Sequence, residues 1–151
     1  MNNLKKGGSM RHIILASHGD FSKGLKHSVQ MIVGDIADQL QTYSLYPSYN
    51  PRDYMEEMSA LIQKNPEDEY VFLCDIEGGS VHSALSTLCQ FPNVLVFGGT
   101  NMNLVLDLLL STPEILINNP DVQNRLIASG KNGVSLTDQK RIQQKSEEED
   151  F

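Results

Sequence analysis

His18 stands in Ser17-His18-Gly19-Asp20, directly after the apolar run Arg11 to Ala16. Asp75 closes a second apolar run, Tyr70 to Asp75, and Gly78-Gly79-Ser80 follows shortly after it. An imidazole whose Nδ1–H is held by a carboxylate keeps one tautomer and presents Nε2 as a lone-pair nucleophile. The same carboxylate favours the positive charge that builds on the ring when Nε2 attacks phosphorus. Gly-Gly-Ser at a helix start offers backbone N–H groups and a hydroxyl, which suit a phosphoryl group. Nucleophile, orienting acid and anion cradle therefore make a candidate phosphohistidine site. Taken singly, each part also has a plain structural use: a histidine ending a strand, an aspartate capping a loop, a common glycine turn.

The elements around these residues decide whether they can meet. Arg11 to Ala16 reads as a buried strand. Phe21, Leu25, Val29 and Ile32 then recur at helical spacing, with Asp20 as N-cap and Gly34 as C-cap. A second strand fits within Gln39 to Leu45. Asn50-Pro51 opens a helix that buries Tyr54, Met58, Leu61 and Ile62, and Asn65-Pro66 stops it. Tyr70 to Asp75 is the third strand. After it Val81, Ala84, Leu85 and Leu88 follow a helical period, and Asn93 to Phe97 is the fourth strand. Gly98 to Asn101 leads into an apolar helix through Leu110. Thr112-Pro113 and Asn119-Pro120 read as two further helix starts, Gly130 as the last helix end, and Val134 to Leu136 as a short final strand. Strands alternating with amphipathic helices predict an α/β fold with a mainly parallel sheet covered on both faces. Ligands in such folds gather at the carboxyl ends of the strands, near the topological switch point. His18, Asp75 and the segment Gly98 to Asn103 all fall at such ends.

The chain has 151 residues and a formal net charge of −7, the size of one domain. The acidic balance argues against general nucleic-acid binding and against anionic membrane surfaces. Part of it lies outside the expected core. Residues 1–9 read as an expression leader or disordered extension, residues 10–138 as the folded domain and residues 139–151 as an acidic C-terminal tail. Cys74 and Cys89, with no CxxC and no signal peptide, fit a reducing cytoplasm. Cys74 is expected in a buried strand and Cys89 in a helix core. No run reaches the length of a transmembrane helix. The spacing of His and Cys suggests no metal, and no cofactor is expected.

Ile13 to Gly19, Phe72 to Ser80 and Gly98 to Asn101 resemble, in order and spacing, the mannose-family IIA (EIIA-Man type) components of the bacterial phosphoenolpyruvate-dependent sugar phosphotransferase system. The resemblance covers residues 10 to about 138. It implies a cytoplasmic phosphocarrier whose histidine, matched by His18, takes a phosphoryl group from HPr and passes it to a IIB component. Sugar uptake through the membrane IIC and IID subunits follows indirectly, in a mannose, fructose, sorbose or N-acetylgalactosamine type of system. Asp75 matches the residue that pairs with the histidine, and Gly78, Gly79 and Ser80 match the phosphate side of the site. Gly19, Asp20 and Asn101 fall on its rim. The implied fold is a flavodoxin-like three-layer sandwich, usually a homodimer, whose short C-terminal strand can run antiparallel and be exchanged between subunits. Val134 to Leu136 match that strand.

Some positions depart from the family's usual pattern. Val81 stands where a proline is frequent, His82 where an aromatic is, Ser83 where an asparagine is, and Asn103 replaces a proline. Asp20 stands where an aromatic is frequent. His82 adjoins the cradle as a second titratable group or as a helix-surface residue. A histidine phosphatase fits poorly, because Ser17 stands where that superfamily has an arginine. A dihydroxyacetone kinase phosphocarrier subunit and a phosphohistidine regulatory module remain as alternatives sharing the same chemistry. Asp20 and Glu77 are the acids nearest His18 in these loops, and they could steer a basic partner.

Overall fold

A computed structural model describes residues 9–149. The expected leader over 1–9 therefore lies, apart from Ser9, outside the described residues. Four strands form one parallel sheet in the order β2-β1-β3-β4. They are β1 (Arg11–His18), β2 (Leu40–Leu45), β3 (Glu69–Cys74) and β4 (Val94–Phe97). Between and after them run α1 (Phe21–Val33), α2 (Pro51–Lys64), α3 (Ser80–Ser86), α4 (Met102–Leu110), α5 (Pro120–Asn132) and α6 (Gln139–Glu149).

Alternation along the strands builds two cores. Ile13 and Leu15 of β1 and Val71 and Leu73 of β3 pack with Leu25 and Val29 of α1, Leu104 and Leu108 of α4 and Leu126 of α5. Ile14 and Ala16, with Tyr70, Phe72 and Cys74, pack instead with Met58 and Ile62 of α2 and Val81 and Leu85 of α3. Every residue of β3 is buried, as a central strand between two helical layers requires. Each fully buried Leu, Ile, Val or Phe side chain contributes about 1.5–3 kcal/mol relative to exposure.

The chain runs from β1 outward to β2, then crosses to β3 on the other side of β1. The crevice between β1 and β3 is thus the switch point. Register pairs Ala16 with Cys74, and the Asp75 N–H donates to the Ala16 carbonyl at 3.1 Å. That places Asp75 beside the residues that end β1.

Several expectations need correction. No antiparallel C-terminal strand forms among the described residues. Val134 and Leu136 are exposed, because a three-residue strand has no stability without a neighbour to accept its backbone bonds. Thr112-Pro113 starts no helix, since long-range partners take this loop's backbone groups. Arg11 donates to the Thr112 and Glu114 carbonyls, and Glu69 accepts the Leu116 and Ile117 N–H groups. Helix α5 runs past Gly130 to Asn132. The inward face of α1 is Ser22, Leu25 and Val29, while Phe21 and Ile32 are exposed. Leu61 is likewise exposed. Cys89 is exposed rather than core, because the chain tightens to a 3₁₀ turn over Thr87–Gln90 and turns Leu88 inward instead. Segment 139–149 is helical but buries no residue.

Candidate functional site

Strand β1 delivers His18 at the carboxyl edge of the sheet, with its side chain 48% exposed. Its Nδ1 lies 2.8 Å from Asp75 Oδ2, and its backbone N–H donates to the same oxygen at 2.9 Å. Asp75 Oδ1 accepts the Ile76 N–H at 3.0 Å. The carboxylate thus grips backbone and ring of one residue and fixes χ1, χ2 and tautomer together. A carboxylate only accepts, so Nδ1 carries the proton and Nε2 the lone pair. Burial would raise the Asp75 carboxyl, but the hydrogen bonds from His18 and Ile76 hold it below its ordinary value.

Nε2 lies 3.1 Å from Ser80 Oγ, so the hydroxyl donates to the lone pair. Ser80 is the first residue of α3, with Gly79 at its N-cap. The N–H groups of Ser80 and Val81, in the first turn, have no carbonyl behind them to bond. Gly79 is required for close approach: a Cβ there would meet Ile76 Cγ2 at 2.8 Å and His18 Cε1 at 3.3 Å. Gly78 has φ +79°, a left-handed conformation that glycine adopts without penalty. Its N–H is donated to His82 Nδ1 at 3.1 Å. Gly78 therefore shapes the turn rather than offering its own N–H to an anion.

The structure brings His18, Asp75, Gly79 and Ser80 together. The rim residues divide. The Gly19 N–H donates to the Leu45 carbonyl at 2.7 Å, which bends the chain from β1 toward α1. Asp20 occupies the N-cap position of α1 but makes no side-chain cap bond. It accepts the Tyr46 hydroxyl instead, and Lys23 Nζ lies 2.7 Å from Tyr46 Oη and 4.0 Å from Asp20. The sequence pattern of α1 did not reveal this cluster, because Tyr46 comes from the loop after β2. Lys23 also offsets the charge of Asp20, which weakens it as a steering group. Asn101 caps α4 through the Leu104 N–H and donates to the Gly130 carbonyl at 2.7 Å. Its amide tethers α5 to the β4–α4 loop. His82 is more than a surface residue, and its position one turn into α3 was the only signal of that. An open groove of ≈ 590 Å³ continues from Ser80 between α3 and the start of α2, lined by Arg52, Glu56, Ser83 and Thr87 among others.

The EIIA-man family model, described as the PTS system fructose IIA component, matches residues 12–118. A sorbose-specific EIIA component of the phosphotransferase system from Klebsiella pneumoniae is 26% identical over 101 residues, covering 66% of this chain and 73% of that protein. The PTS IIA protein associated with the fucose utilization operon of Streptococcus pneumoniae superposes with a TM-score of 0.67. It is 25% identical, with 90% of this chain and 96% of that one covered. The mannose/sorbose specific IIA subunit from Enterococcus faecalis gives a TM-score of 0.71 at 22% identity over 85% of this chain and 95% of that one, a likeness of fold.

Proposed function

The chain belongs to the EIIA-man family, the IIA phosphocarriers of mannose- and sorbose-type sugar uptake, and from that premise we propose that His18 is the residue phosphorylated. The carrier domain spans residues 10 to about 138. The donor is HPr, the acceptor a IIB component, and the cycle runs in the cytoplasm beside the membrane IIC and IID subunits. The observation that carries this reading is the double hold of Asp75 on His18, which leaves Nε2 as the reactive nitrogen.

In the forward step the Nε2 lone pair attacks the phosphorus of the donor's phosphohistidine. A new N–P bond forms at Nε2, and the donor's N–P bond breaks with its electron pair returning to the donor ring. Ring charge on His18 rises during attack, and Asp75 stabilises it across the 2.8 Å contact. The Ser80 hydroxyl must release Nε2 and turn to donate to a phosphoryl oxygen. The N–H groups in the first turn of α3, which have no partner within the helix, suit the same charge. Transfer to the IIB component reverses the bond changes.

A homodimer is the assembly that suits this carrier. The exposed Val134 and Leu136 follow directly on α5, and β4 is the edge strand of the sheet, unpaired on its outer side among the described residues. Together they support exchange of the C-terminal segment between two copies.

The test is incubation with phosphoenolpyruvate, enzyme I and HPr, read by intact mass. The expected result is one acid-labile phosphoryl group on the wild-type chain and none on His18→Ala. No gain, or a gain that survives His18→Ala, overturns the assignment.

A further inference from the structure

His82 is the one imidazole near the site that the transfer step leaves unused. It is the third residue of α3, and its Nδ1 takes the Gly78 N–H at 3.1 Å. A backbone amide only donates, so Nδ1 must hold a lone pair and the ring proton sits on Nε2. This resembles a capping box, in which a side chain one turn into a helix reaches back to a backbone N–H before it. The reach here goes one residue further, to the glycine with positive φ.

The ring has little room to move. A Cβ at Gly98 would lie 3.2 Å from His82 Cδ2 and 2.9 Å from Glu77 Cα. The β4–α4 loop therefore packs closely on His82 and on the turn it holds. The other face of that turn meets the nucleophile, since a Cβ at Gly79 would lie 3.3 Å from His18 Cε1. Ser80, next in the chain, contacts Nε2. A shift of the turn is thus felt at both the hydroxyl and the ring that react.

Resting on the phosphocarrier reading, we infer that neutral His82 is a positioning residue, which by holding the Gly78 N–H sets Gly79 and Ser80 against His18. Protonation fills Nδ1, removes the acceptor and turns a donor toward a donor, so acid releases the turn. The charged and titratable groups near this turn are Glu77 within it and His18 and Asp75 across it, while Arg52 and Glu56 of α2 line the groove that opens from Ser80. The β4–α4 side, Gly98 to Asn101, brings none.

The test compares wild type with His82→Asn and His82→Ala. Asparagine can place Oδ1 where Nδ1 was, and it does not titrate. The readouts are the rate of phosphorylation by phospho-HPr from about pH 8 to about pH 5 and the Gly78 amide resonance by NMR. At pH 8, His82→Ala should slow transfer about fivefold to tenfold, while His82→Asn stays within about twofold of wild type. On acidification the wild-type rate should fall more steeply than that of His82→Asn, whose side chain at position 82 does not titrate. The Gly78 amide should move with pH in wild type and stay fixed in His82→Asn. Wild-type rates in His82→Ala, failure of His82→Asn to rescue, or equal steepness of the two profiles would each overturn the inference. Absence of any phosphorylation of wild type overturns the carrier reading instead, and the Gly78 amide still reports on His82.

Discussion

Strands β1 and β3 carry two histidine–aspartate pairs, one at each end of the sheet. His18 meets Asp75 at the carboxyl ends, and His12 meets Asp68 at the amino ends, each at 2.8 Å. In the first pair the acid takes Nδ1, and Nε2 faces Ser80 and solvent. In the second the acid takes Nε2, the ring lies stacked on Tyr70 at 4.4 Å, and its side chain is only 21% exposed. Asp68 also accepts the Met10 N–H and so fastens the start of β1 to β3. On the phosphocarrier reading, an imidazole held by a carboxylate is therefore not by itself a reactive site. Reactivity needs an open second nitrogen, a glycine turn that lets backbone approach, and a helix start to receive the anion. Parallel strands place those features at the carboxyl ends, where strand-to-helix loops open over the switch point.

Exchanging the fates of the two acids is the strongest way to break this contrast. Asp75→Ala should slow phosphorylation of His18 by about 10²-fold or more, because the ring loses its tautomer and its counter-charge. Asp68→Ala should leave transfer within about twofold and cost about 1–2 kcal/mol of stability, from the lost bonds to His12 and Met10. Stopped-flow transfer and denaturant melts read the two effects, and loss of transfer in Asp68→Ala would dissolve the distinction. Gly79→Ala should come next, slowing transfer roughly tenfold with the fold intact. Its Cβ must displace Ile76 Cγ2 and press on the His18 ring. A rate equal to wild type would show that close approach at Gly79 does not matter.

Acid stability is where the two pairs should look alike, and the effect is smallest. At both acids burial works to raise the carboxyl, and hydrogen bonds, from His18 and Ile76 at one and from His12 and Met10 at the other, hold it below its ordinary value. The unfolded chain then binds these protons first. Each pair contributes stability that is present above about pH 4 and lost as pH falls through the lower folded values. Asp75→Asn and Asp68→Asn should each flatten the acid limb of a stability-against-pH curve. An unchanged limb in either would remove that pair's contribution.

Much of the reactive end was legible in the sequence. The apolar stretches Ile13 to Ala16 and Tyr70 to Cys74 marked β1 and β3 as strands covered on both faces. A histidine and an aspartate at the ends of parallel strands emerge on the same edge, and the strand order of the fold makes those two strands neighbours. Gly78-Gly79-Ser80 announced the start of α3. Less visible was the work of His82, since its position one turn into α3 was the only sign of a bond back to Gly78. The loop from Thr112 to Ile117 misled for a stronger reason. Its local signal, a threonine before a proline, is that of a helix start, yet Arg11 and Glu69 satisfy its backbone groups from strands distant in sequence. That buried ion pair outweighs local propensity, because each strand residue must bury its charge against some partner.

The sequence by itself determined the alternation of strands and helices and the parallel sheet, and it put His18 and Asp75 at strand ends, because periodicity and chain direction are local properties. Tertiary structure decided which nitrogen of His18 and of His12 its aspartate holds, which glycine lies against the His18 ring, and that Asp20 is partnered by Tyr46 and Lys23. Those outcomes depend on loops meeting in space, and the distances between residues on different elements appear only when the layers pack.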